Sequence, residues 1–260
     1  MPWGESHMRF TTIAAVSFGL LAVSAGAKPV PISTSIAAAI AAPDRRPDNV
    51  KLDEGRKPAQ VLEFLGVRPG MNVLDLFGAN GYWAEIMAPA IGSGRDTIWQ
   101  PTQFYTDRGK AYIATLMAKH PNVSLVTSPF EAPDLPKNYA DFVILNDNYH
   151  DNYWVSDKLK IPTMDPNAFL KAVYASMKPG ATIGVIDHVA NPNSDTRATV
   201  DKLHRIDPDV IKADFKRAGF VLVGSSDVLR NPADDHSLEA TDPKILRHTD
   251  RVIFKFKKPR

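Results

Sequence analysis

The chain has no cysteine among its 260 residues. That excludes disulfides, thiolate metal centres, a cysteine nucleophile and a lipidated amino-terminal cysteine, and it leaves the redox compartment open. An excess of one charge is also missing. The 31 Lys and Arg against 29 Asp and Glu leave a net charge of +2, with no basic cluster apart from Lys255 to Arg260. This argues against an electrostatic nucleic-acid binder. No Gly-x-Ser-x-Gly elbow is present, so a serine hydrolase lacks its usual scaffold. No internal repeat is found. The longest amino-terminal apolar run, Phe10 to Val23, is too short for a comfortable membrane span, and no stable membrane insertion is expected.

That run follows Arg9 and precedes Ala25-Gly26-Ala27, which has the small-x-small form of a signal-peptidase site. Residues 1–27 therefore read as a signal peptide, with an uncleaved anchor as the alternative. Either reading makes the protein periplasmic or secreted. Residues 28–47, rich in Ala, Pro and Ser, read as a linker, with Ile36 to Ala42 able to form a short helical turn. Residues 48–260 then form a single domain, whose 44% hydrophobic content supports a sizeable core.

The organising stretch of that domain is Val67 to Trp83. Pro69-Gly70 punctuates the end of a helix, Asn72 to Phe77 is a short apolar run with strand character, Gly78 to Gly81 is a tight loop, and Tyr82 to Ala90 has helical spacing. A strand, glycine-bearing loop and helix make the first unit of a doubly wound sheet, in which ligands bind outside the carboxyl ends of the strands. The free N–H groups at the start of the helix suit a carboxylate or phosphate.

Further strands are expected at Thr97 to Gln100, Ser124 to Thr127, Phe142 to Leu145, Thr182 to Ile186, Phe220 to Val223 and Arg251 to Lys257. Helices are expected over Val50 to Leu65, in two pieces with Pro58 opening the second, and over Phe104 to Lys119, Pro166 to Met177 and Asp209 to Ala218. The alternation predicts an α/β fold with a doubly wound, mostly parallel seven-stranded sheet and helices on both faces. Val252, Phe254 and Phe256 alternate with Ile253 as in a half-covered last strand.

This order of elements, with "PFEAPDLPKNYADFVILND", "MKPGATIGVIDH" and "FKRAGF", resembles the class I S-adenosylmethionine-dependent methyltransferases, which have a Rossmann-like sheet with an antiparallel last strand. More narrowly, "NYHD", "DH", "LHRIDP" and "LRNPADDH" resemble a group of exported bacterial methyltransferases. The resemblance runs from Asp48 to Pro259. It implies S-adenosylmethionine as cofactor and a small-molecule methyl acceptor.

The first motif of that family is incomplete here. Asp75 and Gly81 match it, Gly78 falls between two motif positions, Phe77 stands at the first glycine and Ala79 at the second. A methyl group at Ala79 crowds the place where backbone approaches the ligand. Gln100 stands where an acidic residue holds the ribose hydroxyls, so the charge-assisted pair is lost. The resemblance places Phe130 and Glu131 near the adenine. Stacking on a purine and buried packing both account for Phe130, and cofactor binding and simple loop capping both account for Asp75.

The chemistry is expected at the neighbouring ends of the fourth and fifth strands, which deliver Asn146, Asp147, Asn148, Tyr149, His150 and Asp151, and Asp187 and His188. Methyl transfer needs a positioned nucleophile and a base, and an imidazole titrating near neutrality suits the second task. His150 is the expected base, oriented by Asp187 or Asp151, with His188 as second candidate. Asp147 is grouped with the cofactor site. No metal is required by the resemblance. A magnesium- or manganese-assisted O-methyltransferase using Asp147, Asp187 and His188 is one alternative. A non-catalytic ligand-binding protein on the same scaffold is another, favoured by the degenerate loop and Gln100. His204 and Arg205 are candidates for holding an acidic substrate group, and Arg230 to His236 for a lid. The cofactor is made in the cytoplasm, so export and methyl transfer stand in tension.

If the amino terminus is an export signal, the mature chain begins at or near Lys28. The intact mass of protein recovered from a bacterial periplasm checks this, and recovery only as full-length cytosolic protein removes the export reading.

Overall fold

The computed structural model describes residues 32–260 apart from Asn193; the proposed signal peptide lies outside the described residues. Four helices precede the sheet: α1 (Ile32–Ile40), α2 (Pro47–Val50), α3 (Asp53–Arg56) and α4 (Pro58–Leu65). There follow β1 (Val73–Leu76), α5 (Tyr82–Ile91), β2 (Asp96–Pro101), α6 (Asp107–Lys119), β3 (Val123–Ser128), β4 (Ala140–Asn146), α7 (Pro166–Ser176) and β5 (Met177–His188). The chain closes with α8 (Thr196–Leu203), α9 (Pro208–Arg217), β6 (Val221–Ser226) and β7 (Arg251–Lys257). None of the described helices is long and apolar enough to cross a membrane.

The local chemistry explains most boundaries. Pro58, Pro166 and Pro208 each open a helix, where the missing N–H costs nothing and φ is already helical. Asp165, Asp195 and Asp207 cap their helices by accepting from a backbone N–H of the first turn. Thr106 caps α6, accepting from Gly109 N, so that helix starts three residues later than its apolar spacing suggested. Phe104 falls in a separate short 3-10 turn, Thr102–Phe104.

The seven strands lie in the order β3-β2-β1-β4-β5-β7-β6. All pairings among β1 to β5 are parallel, and β7 runs antiparallel to both β5 and β6. The order departs in opposite directions from the β1–β4 pair, which makes their carboxyl ends the switch point of the sheet. Alternate residues feed two cores. Leu74, Leu76, Val143, Leu145 and Val185 pack with Phe169, Leu170 and Val173 of α7 and with Ile211 and Phe215 of α9. Val73, Phe142, Ile144 and Ile186 pack on the other face with side chains of α1, α4 and α5.

Two expectations need correction. The segment 28–47, read as a linker, contains α1, whose Ile36 and Ala39 are buried in that second core. Its Ala-rich composition is that of a small-residue helix packed close, which a loop-like reading of composition misses. β7 is also not half-covered. It is threaded between β5 and β6, and Val252, Ile253, Phe254 and Phe256 are all buried. The edge strand on this side of the sheet is β6, where Val221, Leu222 and Val223 are about half exposed.

Asp75 of β1 and Asp96 of β2 both lie buried in the sheet. Among the described residues, neither carboxylate oxygen of Asp96 has a hydrogen-bond partner. Burial pushes Asp96 from its ordinary 3.8 to about 7, and burial and the neighbouring Asp96 push Asp75 well up. The sign follows from linkage. Between pH 3.8 and about 7 the unfolded chain releases the Asp96 proton while the folded chain keeps it, so stability falls as pH rises and the loss is complete above about pH 7. Asp96→Asn should therefore raise the Tm relative to the parent at pH 8.5 by more than at pH 5. Parallel Tm curves across that range would show that the carboxyl is solvated when charged.

Candidate active site

β1 ends in a deliberate bend. The Phe77 N–H still bonds Trp99 O of β2 at 2.7 Å, but Phe77 itself is left-handed at φ 59. For a bulky residue this conformation is unfavourable and clusters at functional sites. The bend drives the Phe77 ring into an edge-on aromatic cluster with Trp99, Phe104 and Phe130, at centroid distances of 5.2–5.8 Å. The following turn, Gly78–Asn80, is closed by Gly81 N–H on Gly78 O at 2.7 Å. Two glycines are sterically required. A Cβ on Gly78 would sit 2.4 Å from the Asp75 carboxyl, and one on Gly81 (φ +70) would sit 2.1 Å from the Tyr112 ring.

A cavity of about 720 Å³ opens over this loop. Its floor is Phe77, Ala79, Asn80 and Gln100, one wall is Phe104, Tyr105 and Thr106, and its roof is the segment from Arg46 to Leu52. The roof is anchored by a buried polar network. Arg45 pairs with Asp53 and Glu85, Asn49 donates to Glu85 at 3.0 Å, and the Tyr112 hydroxyl donates to the same carboxylate at 3.1 Å. The anchoring of this roof on Glu85 and Tyr112 was not read from the sequence, because those partners lie 36 and 63 residues from Asn49.

Of the residues assigned to the cofactor, Ala79 and Gln100 line this cavity. Gln100 does not point an oxygen at a ligand, however: its Oε1 accepts from the Ala79 N–H at 3.0 Å. Asp75, Gly78 and Gly81 shape the loop from beneath and do not line the cavity. Phe130 is fully buried in the aromatic core; the rings that line the cavity include the partly buried Phe104 and its neighbour Tyr105.

Asp147 lies elsewhere. It ends β4 with its N–H on Ile186 O at 2.8 Å and with a left-handed φ of 57, which turns its side chain into a second cavity of about 230 Å³. His188, Thr249, Arg56, Arg247 and Arg251 also line that cavity, and Leu52 and Arg247 border both. Asn148, the next residue, faces the first cavity. The end of β4 therefore divides the two spaces. Burial alone would raise the Asp147 pKa, but His188, Arg251 and Arg56 hold it below the ordinary 3.8. Among the described residues, its Oδ1, Arg56 Nη1 and Arg251 Nε are buried without a hydrogen-bond partner.

His150, Asp151, Asp187 and His188 do converge. Asp187 is fully buried. Its Oδ2 accepts from the His150 N–H at 2.9 Å, while its Oδ1 meets His150 Nδ1 at 2.7 Å and accepts from the His188 N–H at 2.8 Å. Burial disfavours the His150 cation, yet the Asp187 and Asp151 carboxylates outweigh it and raise its pKa to about 9. This imidazole holds its proton at neutral pH and is a poor base as it stands. His188 is the opposite case. Burial lowers it to about 4 against the pull of Asp147, so it is neutral, with Nδ1 2.8 Å from Thr249 Oγ1 and Nε2 3.9 Å from Asp147 Oδ1. The cation set Asp147, Asp187 and His188 is not formed, because Asp187 is already taken by three groups of the chain. Arg205 is fully buried on Asp234 and on the carbonyls of Val189 and Leu238, and is no substrate ligand. The Arg230 to His236 stretch is tied down through Asp250, which accepts from Arg230 and pairs with His236, and so is not a free lid.

The fold is that of the class I methyltransferases. Three solved structures illustrate it: a SAM-dependent methyltransferase from Aquifex aeolicus (TM-score 0.55, 16% identity, 87% of this chain and 98% of that one); an S-adenosylmethionine-dependent methyltransferase from Mesorhizobium loti (0.51, 13%, 79% and 99%); and the [4+2]-cyclase SpnF (0.59, 15%, 88% and 93%). No family model matches the chain and no curated protein matches its sequence. At these identities the likeness defines the fold, and the third structure shows that one fold serves more than one chemistry.

The Gln100 bond to the loop is testable. Gln100→Ala should leave the buried Ala79 N–H unsatisfied and cost about 1–3 kcal/mol, whereas Gln100→Glu should restore most of it. Thermal unfolding of the two variants checks this, and an unchanged Tm for Gln100→Ala would mean that the amide finds another acceptor.

Proposed function

We propose that this protein is an S-adenosylmethionine-dependent methyltransferase acting on a small anionic acceptor. The observation that carries the reading is the pair of adjoining cavities divided by Asp147-Asn148 at the switch point of the sheet. The first cavity suits a nucleoside-sized cofactor in volume and in lining. Phe104 and Tyr105 offer flat apolar walls, and Asn80, Thr106 and Asn148 offer hydrogen-bonding groups. Ribose recognition by a strand-end carboxylate is absent, since Gln100 is spent on the loop. S-adenosylmethionine, when bound, supplies an electrophilic methyl group.

The second cavity suits the acceptor. Arg56, Arg247 and Arg251 border it, and this cationic lining matches a carboxylate or phosphate on the acceptor. With Nδ1–H given to Thr249, His188 keeps the lone pair of Nε2 for the proton that the acceptor loses. The imidazolium so formed faces the Asp147 carboxylate. His150 and Asp187 fix the rim without touching the reacting atoms. Among known structures of the fold, a Burkholderia thailandensis N1-methyltransferase (TM-score 0.52, 16% identity, 88% of this chain and 87% of that one) holds its small substrate 1,6-didemethyltoxoflavin together with S-adenosylhomocysteine, which supports the two-ligand reading. We further propose that the enzyme is exported; cleavage after Ala27 leaves α1 whole, and the reading then requires the donor to reach that compartment.

A second reading, a ligand-binding protein without turnover, is favoured by the Ala79–Gln100 closure and the Phe77 substitution in the cofactor loop. The two separate in one assay. With labelled S-adenosylmethionine and a panel of small phenols, catechols and carboxylic acids, His188→Ala should cut transfer by about a hundred- to ten-thousand-fold while calorimetric affinity for the donor stays near that of the parent. Full turnover in His188→Ala would remove the base assignment. Donor binding with no labelled product from the unaltered chain would favour the second reading.

A further inference from the structure

His204 takes no part in the methyl-transfer reading, yet it is placed with care. It ends α8 in a left-handed conformation, φ 46, with its N–H on Val200 O at 2.8 Å. Ile206, two residues on, bridges to the end of β5, its N–H bonding His188 O at 2.9 Å. The bend and the bridge deliver the His204 ring to the rim, edge-on to His150 at 5.6 Å and to Trp154 at 4.8 Å. One ligand atom each from His150, Asp151 and His204 then lies within 4.8 Å of the others.

We propose that His150, Asp151 and His204 form a binding site for one divalent transition-metal ion. Each of the first two ligands is already aimed by a partner behind it. Nδ1 of His150 faces the Asp187 carboxylate at 2.7 Å, leaving Nε2, 3.5 Å from Asp151 Oδ1, to release its proton to solvent as the ion binds. The other oxygen of Asp151, Oδ2, accepts from Asn148 Nδ2 at 2.9 Å. A carboxylate behind a metal-binding imidazole, and a hydrogen bond behind a metal-binding carboxylate, are the outer-shell supports that fix tautomer and orientation in metal sites. With bonds of about 2.1 Å, ligand atoms on one ion stand roughly 3–4 Å apart, a spacing that His150 and Asp151 already meet. His204, half-buried, has the freedom to close the remainder. His150 and Asp151 are almost fully buried, so they are poorly placed for a casual surface role.

The donor set selects the ion. Two imidazoles and one carboxylate suit zinc, iron(II) or cobalt(II), whereas magnesium and calcium prefer oxygen. Three protein ligands leave at least one position for water or another ligand. The ion would join the 3-10 turn after β4 to the end of α8. Through Asn148 the site adjoins the first cavity, and through the shared Asp187 it adjoins His188.

The test uses the full chain, stripped with chelator and titrated with Co²⁺ and then Zn²⁺. The expected result is one equivalent of Co²⁺ with a visible d–d band, its displacement by Zn²⁺, and a Zn²⁺-dependent rise in Tm. His204→Asn, which keeps a residue tolerant of the left-handed bend, should lose the band and the Tm rise with unchanged circular dichroism. Asn148→Ala should weaken binding by about ten- to a hundred-fold, and exposed His248→Ala should leave it intact. Absence of a stoichiometric Co²⁺ band in the parent, or the same band and affinity in His204→Asn, would overturn the proposal.

Discussion

The rim of this protein depends on one buried carboxylate. Asp187 sits at the end of a central strand with no access to water and receives three groups: two backbone N–H donors and one imidazole. An unpaired charge at that depth would cost several kcal/mol, so the ends of β4 and β5 are held where those donors can reach it. That constraint fixes His150 and His188 at once, and it separates them chemically. His150 turns Nδ1 onto the carboxylate and keeps its proton, while His188, bonded to Asp187 only through its backbone N–H, leaves its ring free to face Thr249 and Asp147. Two histidines at adjacent strand ends thus acquire opposite protonation states from one shared partner.

The loop after β1 shows how a fold tolerates departures from a glycine motif. Phe77 adopts the left-handed bend that glycine takes without strain, and its ring is held by three aromatic neighbours. Ala79 gives up its N–H to Gln100. The bend and the loop are kept, and the polar group near the end of β2 is an amide turned onto the loop. Similar backbones elsewhere host methyl transfer and, in one case, a cycloaddition, so the loop by itself specifies an architecture. The case for chemistry rests on the second cavity, where cationic side chains, a neutral imidazole and an ionised carboxylate meet.

The amino-terminal helices convert an open crevice into a roofed one. Arg45, Asn49 and Asp53 are joined to Glu85, Tyr82 and Tyr112 by ion pairs and hydrogen bonds, largely buried. Buried networks of this kind add specificity of placement more than net stability. Here they hold the segment from Arg46 to Leu52 over the loop, with Leu52 bordering both cavities.

All seven strands were legible in the sequence, because short apolar runs bounded by Gly, Pro and Asn leave few other options, and the β/α alternation makes a parallel sheet the natural way to bury them. That residues 146–151 and 187–188 share one rim was implied by the resemblance, in whose fold the fourth and fifth strands are neighbours, and β4 and β5 are paired here. What the tertiary structure alone decided is partnership across long separations. β7 enters between β5 and β6, which buries an alternating strand on both faces. Asp75 turns under its loop and Phe130 into the core, because nearby glycines and aromatic rings leave them room only there. Glu85 and Tyr112 find Asn49 at separations of 36 and 63 residues, and His204 reaches His150 only after a left-handed helix end. A local window of sequence carries the period of an element and the chemistry of its caps. It does not carry which buried polar atom lies opposite which other, and at this site that pairing sets protonation, charge and the division into two cavities.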